Sequence, residues 1–177
     1  SPGVLFLTSV SHMDFVDLEV AYSRGGGWLG PFTSTAIGAG HVSDVRFINC
    51  TVHAVGGQAF RFVEGPQSSP VQPIVVDRVG IDQSSIYDTG CGGVWLSGGN
   101  VTSLEWSHNF ITNTTIANTN RIVRTYTPPI SFNGLVGGRV ADNVISDAPH
   151  AGILGSGNDC LFDGNHISRV AFECDDT

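Results

Sequence analysis

Residues 147–170, DAPHAGILGSGNDCLFDGNHISRV, decide the fold, because they read as one unit of a repeat. An apolar pair, Ile153 and Leu154, runs into a glycine-rich turn. Leu161 and Phe162 follow, and Asn165 stands just before Ile167. Working outward, a β-branched residue follows each polar corner: Val20, Val52, Ile86, Ile111, Ile145 and Ile167, spaced 32, 34, 25, 34 and 22 residues apart. The short spacings fit a single turn of a three-sided coil. The long ones fit the same coil with an inserted loop of roughly ten residues, which solenoid repeats tolerate.

Offsets from these anchors carry the pattern. Five residues before them stand Phe15, Phe47, Ile81, Trp106, Val140 and Phe162. Seven before are Met13, Val45, Val79, Leu104, Gly138 and Cys160. Eight after are Trp28, Phe60, Val94 and Ile153, and Ile130 takes this place in the coil with an eleven-residue insertion. Ten after are Gly30, Phe62, Leu96 and Gly155, with Phe132 in the inserted coil. Apolar residues two apart mark short strands with one buried face. The residue just before each of the +8 positions (Gly27, Ala59, Gly93, Pro129, Gly152) suits a tight corner. Two before the anchors, Asn109, Asn143 and Asn165 predict a stacked asparagine ladder inside one bend. The expected fold is all-β: a single-stranded right-handed parallel β-helix of about six coils with loop insertions. Each strand pairs with its equivalent one coil later, so the rod is roughly 29 Å long at ~4.8 Å per coil. Residues 1–177 form one such segment, read as part of a longer protein. A β-sandwich or propeller would call for frequent Asn-Gly or Asp-Gly hairpin turns, which are sparse.

Bulk composition narrows the function. Hydrophobic residues make up 41% and charged residues only 14%, with 23 glycines. That suits a folded, sheet-rich, turn-rich chain. A net charge of −8 argues against a nucleic-acid partner, and no apolar run reaches the length of a membrane span. All eight basic residues are Arg, a bias for which the sequence offers no structural reason. Cys50, Cys91, Cys160 and Cys174 lack C-x-x-C spacing, which argues against zinc. The register places Cys50 and Cys160 at different corners, and Cys91 and Cys174 at one corner but about three coils apart. No disulfide among them is expected.

Five stretches carry a resemblance: IYDTGCGGVWLSGG (86–99), RTYTPPI (124–130), ISDAPHAGI (145–153), GNDCLFDGNHI (157–167) and FECDDT (172–177). Together they resemble right-handed parallel β-helix repeat proteins of the pectate-lyase-like superfamily, well over residues 78–177 and only as generic coils before that. The resemblance implies a secreted protein, extracellular or at the cell surface, that acts on or binds a polysaccharide or other glycan. Fold likeness alone does not assign activity.

The polar residues off the core then fall into place. Arg124 and Tyr126 precede Ile130, His150 follows the next anchor, and Glu173 the one after, so the register sets them on one corner of three successive coils. Asp88, Asp147, Asp175 and Asp176 flank that corner as candidate substrate-binding carboxylates. A lyase needs a cation to neutralise a uronate and a base such as Tyr or His; a hydrolase needs paired carboxylates. The same residues have plainer readings: His150 and Asp147 as turn residues around Pro149, Arg124 in an ion pair, Tyr126 packing its loop, Asp175 and Asp176 solvated. No metal or other cofactor is expected. Calcium at the Asp-rich turns is the one ion considered, but no Asp-x-Asp-x-Asp-Gly loop occurs. Sequons at Asn49, Asn100 and Asn113 could carry glycan. RGGGWLG (24–30) lacks the context of a phosphate loop and reads as a corner with Trp28 inward. Three functions compete: a polysaccharide lyase or hydrolase at the Arg124/Tyr126/His150/Glu173 corner, a non-catalytic structural or adhesive module, and a receptor-binding rod. Uncapped ends would allow end-to-end or flanking-domain contacts.

Overall fold

The computed structural model describes residues 3–24, 35–63 and 75–173. Within them lie sixteen strands and no helix, so no helix is long and apolar enough to cross a membrane. In chain order the strands are β1 (Leu5–Val16), β2 (Glu19–Ala21), β3 (Thr35–Ile48), β4 (Thr51–Val55), β5 (Gln58–Phe62), β6 (Val76–Asp82), β7 (Ser85–Thr89) and β8 (Val94–Leu96). They continue as β9 (Phe110–Thr112), β10 (Thr115–Ala117), β11 (Ile130–Val136), β12 (Arg139–Ala141), β13 (Val144–Ala148), β14 (Ile153–Asn158), β15 (Leu161–Asp163) and β16 (His166–Val170).

Every pairing between these strands is parallel, and each strand pairs with its equivalent in the next repeat. One sheet runs β16-β13-β10-β7-β4-β2. A second, ten-stranded sheet is organised around β3, which pairs with β1, β5 and β6. The chain is thus all-β, with parallel strands in curled sheets, an arrangement compatible with a parallel β-solenoid.

Three inward columns run through the core. The first is Leu5, Ile37, Phe60, Val94, Ile130, Ile153. The second is Phe15, Phe47, Ile81, Ile111, Val140, Phe162. The third is Val20, Val52, Ile86, Ile116, Ile145, Ile167. Members of a column sit one strand spacing apart, so like side chains stack: the Phe15 and Phe47 rings lie parallel at 4.8 Å. A further inward column two residues after the first holds Leu7, Ala39, Phe62, Leu96, Phe132 and Gly155, as the period-2 pattern requires. The small corner residues have a steric reason. A Cβ on Gly93 would lie 2.5 Å from the Pro129 carbonyl oxygen of the next repeat.

The fourth repeat departs from the expected register. Ile111 belongs to the Phe15 column, where Trp106 was expected, and Ile116 takes the anchor position. Trp106 is half-exposed and reaches Asp159 through its indole N–H, while Leu104 is exposed in a turn. The observed repeats are 32, 34, 30, 29 and 22 residues. The expected asparagine ladder shifts with them. Its third member is Thr114, and the ladder continues upstream as Ser84. The Cys50 N–H donates to Ser84 Oγ (3.0 Å), Ser84 N–H to Thr114 Oγ1 (3.3 Å), Thr114 N–H to Asn143 Oδ1 (3.0 Å) and Asn143 N–H to Asn165 Oδ1 (3.1 Å). Asn109 is buried one column away. It accepts from Val79 N–H and donates to the Val76 and Ser97 carbonyls.

The chain bends at single residues in the left-handed region, and these bends also stack. One column is His12, Asp44, Arg78, His108, Gly137 and Asp159. Another is Asp17, Asn49, Gln83, Asn113, Asp142 and Gly164. A third is Tyr22, Ala54, Asp88, Asn118, Asp147 and Arg169. All have φ between 49° and 65°. Asp, Asn and Gly tolerate this conformation best, which explains the polar corners visible in the sequence. Trp28, Gly27 and Gly30 lie outside the described residues; Ile37 precedes Phe60 in its column. Cys50 and Cys160 are free thiols, and burial pushes the Cys91 thiol up to about 11. Cys160 is only half-buried, and Cys174 lies outside the described residues.

Candidate functional site

The sequence-predicted corner assembles in part. Arg124 grips Glu173 with two prongs: Nε donates to Oε2 at 2.7 Å and a terminal nitrogen donates to Oε1. Arg124 also reaches the Asn120 carbonyl (3.4 Å), and Glu173 N–H donates to the Pro149 carbonyl. The guanidinium holds the Glu173 carboxyl below its ordinary range. Tyr126 is exposed and sits ring to ring with His150, centroids 5.1 Å apart. The structure therefore yields two contacting pairs, Arg124–Glu173 and Tyr126–His150.

His150 lies beneath the surface of that corner. It is 5% exposed, and among the described residues neither of its buried ring nitrogens has a hydrogen-bond partner. Its backbone carbonyl accepts from Ala171 N–H, which draws the segment after β16 over the ring's own turn. A buried, unpartnered imidazole costs free energy.

The flanking carboxylates are committed to neighbouring repeats. Asp147 accepts from Arg169 at 2.5 and 2.7 Å and from Ser146 at 2.8 Å, which holds its carboxyl down at about 2. Asp88 accepts from Asn118 (2.5 Å) and lies 3.9 Å from Arg121. Both stand in the third left-handed bend column, so they tie corner to corner. Asp175 and Asp176 lie outside the described residues.

The all-Arg composition now has a reason at several positions. Arg46 on Asp14, Arg78 on Asp44, Arg124 on Glu173 and Arg169 on Asp147 each meet both carboxylate oxygens through Nε and a terminal nitrogen. Lys cannot reproduce that fork. The Asp14, Asp44, Arg46 and Arg78 network, with His12 and His108, borders a polar cavity of about 490 Å³ whose charges largely satisfy one another.

A second cavity has a volume of about 340 Å³. Trp95 and Tyr126 line it with the apolar Pro128, Phe132 and Leu154 and the polar Gln58, Ser131, Asn133 and Ser156. Trp95 follows Val94 and precedes Leu96, both buried, so strand alternation turns the indole outward. Arg61, its register partner on β5, stacks its guanidinium 4.7 Å from the indole centroid. Burial lowers the Arg61 pKa, yet a guanidinium remains charged near neutrality. Of the four residues proposed from sequence as catalytic, only Tyr126 lines this groove. Trp95 was missed, though the signal was present: an aromatic residue of outward parity between two core residues.

The sequons differ in geometry. Asn49 and Asn113 are bend residues whose amides donate to Asp17 (2.6 Å) and Asp82 (2.8 Å). Asn100 is exposed, and its Oδ1 accepts from Thr102 and Ser103 N–H in an Asx turn, with no donation from its amide nitrogen seen among the described residues. His/Cys/Asp/Glu groups of metal-site size are absent among the described residues. No family model matches the chain, and no curated protein matches it.

Proposed function

We propose that this chain is a right-handed parallel β-helix of six coils, akin to the pectate-lyase-like superfamily, that binds a polysaccharide outside the cell. Its binding surface is the Trp95–Tyr126 groove. The observation that carries the reading is that groove's make-up, a largely apolar wall carrying the Trp95 and Tyr126 rings with Pro128, Phe132 and Leu154, edged by the polar side chains of Gln58, Ser131, Asn133 and Ser156. The apolar face of a pyranose stacks on an indole or phenol, and its hydroxyls pair with groups such as Gln58, Ser131 and Asn133. Arg61, stacked on Trp95 and outside the groove's lining, puts a positive charge next to it that favours sugars bearing a carboxylate. The six-membered columns support six coils, and the sequons support an extracellular setting, with Asn100 the acceptor best placed to carry glycan.

Cleavage at the same corner is the second reading, favoured by Tyr126, which both lines the groove and touches His150. Three observations weigh toward binding alone. Arg124 is already committed to Glu173. The lowered Glu173 carboxyl is the reverse of what a general acid needs. His150 is buried, so its nitrogens do not face the groove freely.

Titration calorimetry against uronic-acid polymers and neutral glucans tests the proposal. The chain is expected to bind an acidic polymer, and Trp95→Ala to lose affinity tenfold or more, about 1.4 kcal/mol. Absence of binding to any polymer, or full affinity in Trp95→Ala, overturns it. Growth of the unsaturated-product absorbance, abolished by Tyr126→Phe, would establish the lyase reading instead.

A further inference from the structure

We propose that Asn133 and Gly134 form a self-modification site, at which the Asn133 side-chain amide converts to a carboxylate without an enzyme, with the Ser156 hydroxyl carrying the proton. The two residues are the chain's one Asn-Gly pair. They sit at a bulge in β11. Asn133 pairs with Ser156 and Leu135 with Gly157, so Gly134 has no register partner on β14. Its N–H is therefore outside the ladder, and its φ of 65° is one that glycine adopts at little cost. A Cβ at Gly134 would have only Val101 within 4 Å, at 3.5 Å, so the space around the bulge is open. Asn133 and Ser156 are exposed, and both have outward parity. Their exposure thus comes from the face of the sheet and not from the edge of the stack.

The local geometry supplies what cyclisation needs. The Gly134 N–H donates to Ser156 Oγ at 3.5 Å, a long bond that is readily given up, and the Ser156 hydroxyl donates to Asn133 Oδ1 at 3.2 Å. One hydroxyl thus bridges the attacking nitrogen and the oxygen on which negative charge develops, the place for a group that takes one proton and gives another. The Gly134 nitrogen attacks Asn133 Cγ. An N–Cγ bond forms, the Cγ–Nδ2 bond breaks, and ammonia leaves with the Gly134 amide proton. Water opens the resulting succinimide at either carbonyl, which leaves aspartate or isoaspartate at position 133. Every other asparagine is followed by a residue whose side chain crowds the nitrogen that would attack. Asn109, Asn120 and Asn143 are buried besides, and the Asn100 Oδ1 is held by the Thr102 and Ser103 N–H groups. Asn133 lines the Trp95–Tyr126 groove, so the reaction places a negative charge there. The groove then loses affinity for acidic polymers as the chain ages, a consequence that rests on the glycan reading; the modification itself does not.

Peptide mass spectrometry of the whole folded chain, incubated near neutral pH and sampled over time, tests the proposal, with the urea-unfolded chain as reference. In the folded chain Asn133 is expected to convert at least as fast as in the unfolded one, ahead of every other asparagine, and to give both aspartate and isoaspartate. The rate should rise with pH, because the attacking nitrogen must lose its proton. Ser156→Ala should slow conversion about tenfold or more, and Ser156→Thr, which keeps the hydroxyl, should restore it. Thermal melts establish that these variants of an exposed side chain fold. A folded chain in which Asn133 outlasts the unfolded reference overturns the proposal, and so does Ser156→Ala that converts at the wild-type rate. The consequence for binding is read separately. Asn133→Asp should bind an acidic polymer about fivefold more weakly than wild type, the scale of one unit charge at close range in water. Equal affinity removes that consequence. A wild type that binds no polymer sinks the glycan reading, and the mass measurement still decides the modification.

Discussion

The middle layers and the layer that ends the ladders are built from the same columns, yet their residues live in different surroundings. Ile116 and Ile145 are fully buried; Ile167, next in that column, is 43% exposed. Ile111 and Val140 are buried, while Phe162 above them is 45% exposed. Side-chain direction is the same in each case. What differs is whether a described layer lies on both sides. Burial in this molecule is therefore a property of the stack and not of the strand, as in other quasi-one-dimensional architectures. Hydrophobic stabilisation is concentrated in the interior layers and thins toward the ends.

The largest effect that could break this comparison is truncation within one column. Ile116→Ala should cost about 2–5 kcal/mol, as expected when a buried isoleucine leaves a cavity. Ile167→Ala, half open to water already, should cost about 1 kcal/mol or less. Urea midpoints of the two variants measure the contrast, and equal losses would mean that the end layer is covered in solution.

The polar ladder sharpens the same contrast at smaller scale. Asn143, itself buried, accepts from Thr114 N–H and donates to the Ile111 carbonyl (2.9 Å) in the interior and to the half-buried Asn165 Oδ1 (2.9 Å). Asn143→Ala strands buried backbone groups and should cost about 1–3 kcal/mol. Asn165, half-buried, makes comparable bonds to Asn143 and to the Val140 carbonyl. Water can replace it, so Asn165→Ala should cost less, about 1 kcal/mol. Chemical denaturation of the pair, with hydrogen exchange at the Thr114 amide, reads the difference.

The smallest expected effect is electrostatic and lies at the junction of the last two layers. Asp147 has its carboxyl lowered from 3.8 to about 2, first by Arg169 and then by Ser146. A group depressed on folding contributes stability that is complete above its unfolded value and is lost as pH falls through its folded one. The contribution should fade between about pH 4 and pH 2. Asp147→Asn should flatten the stability profile in that window, with only a small shift near neutrality because the pair is solvent-exposed. Thermal melts across that window check it; an unchanged acid limb would show the pair to be idle.

How much of the candidate site was legible follows from what local pattern can encode. The sequence placed Arg124 and Glu173 on one corner, and Tyr126 near His150, because residues at equivalent offsets of successive repeats stack. That the first pair closes into an ion pair, and that His150 is covered, depends on how the inserted loop and the segment after β16 fold back, and repeat spacing carries no information on either. Trp95 was legible in principle: an outward residue between Val94 and Leu96 needs only the parity of its strand.

By itself, the sequence determined that parallel strands recur, which residues face inward in most repeats, and that polar residues mark the bends. Period-2 alternation and the left-handed tolerance of Asp, Asn and Gly are local properties. Only the tertiary structure decided the register of the fourth repeat. The two inward columns there are five residues apart in every layer: Phe15 and Val20, Phe47 and Val52, Ile81 and Ile86, Ile111 and Ile116, Val140 and Ile145, Phe162 and Ile167. A slip by five therefore moves one apolar column onto the other, and Trp106, apolar and five before Ile111, completes the false match. Ile111 and Ile116 are the same residue type, so side-chain chemistry does not break the tie. The backbone pairing of β9 with β6 and of β10 with β7 does, because each strand bonds its neighbour at a single register and sets Ile111 under Ile81 and Ile116 under Ile86.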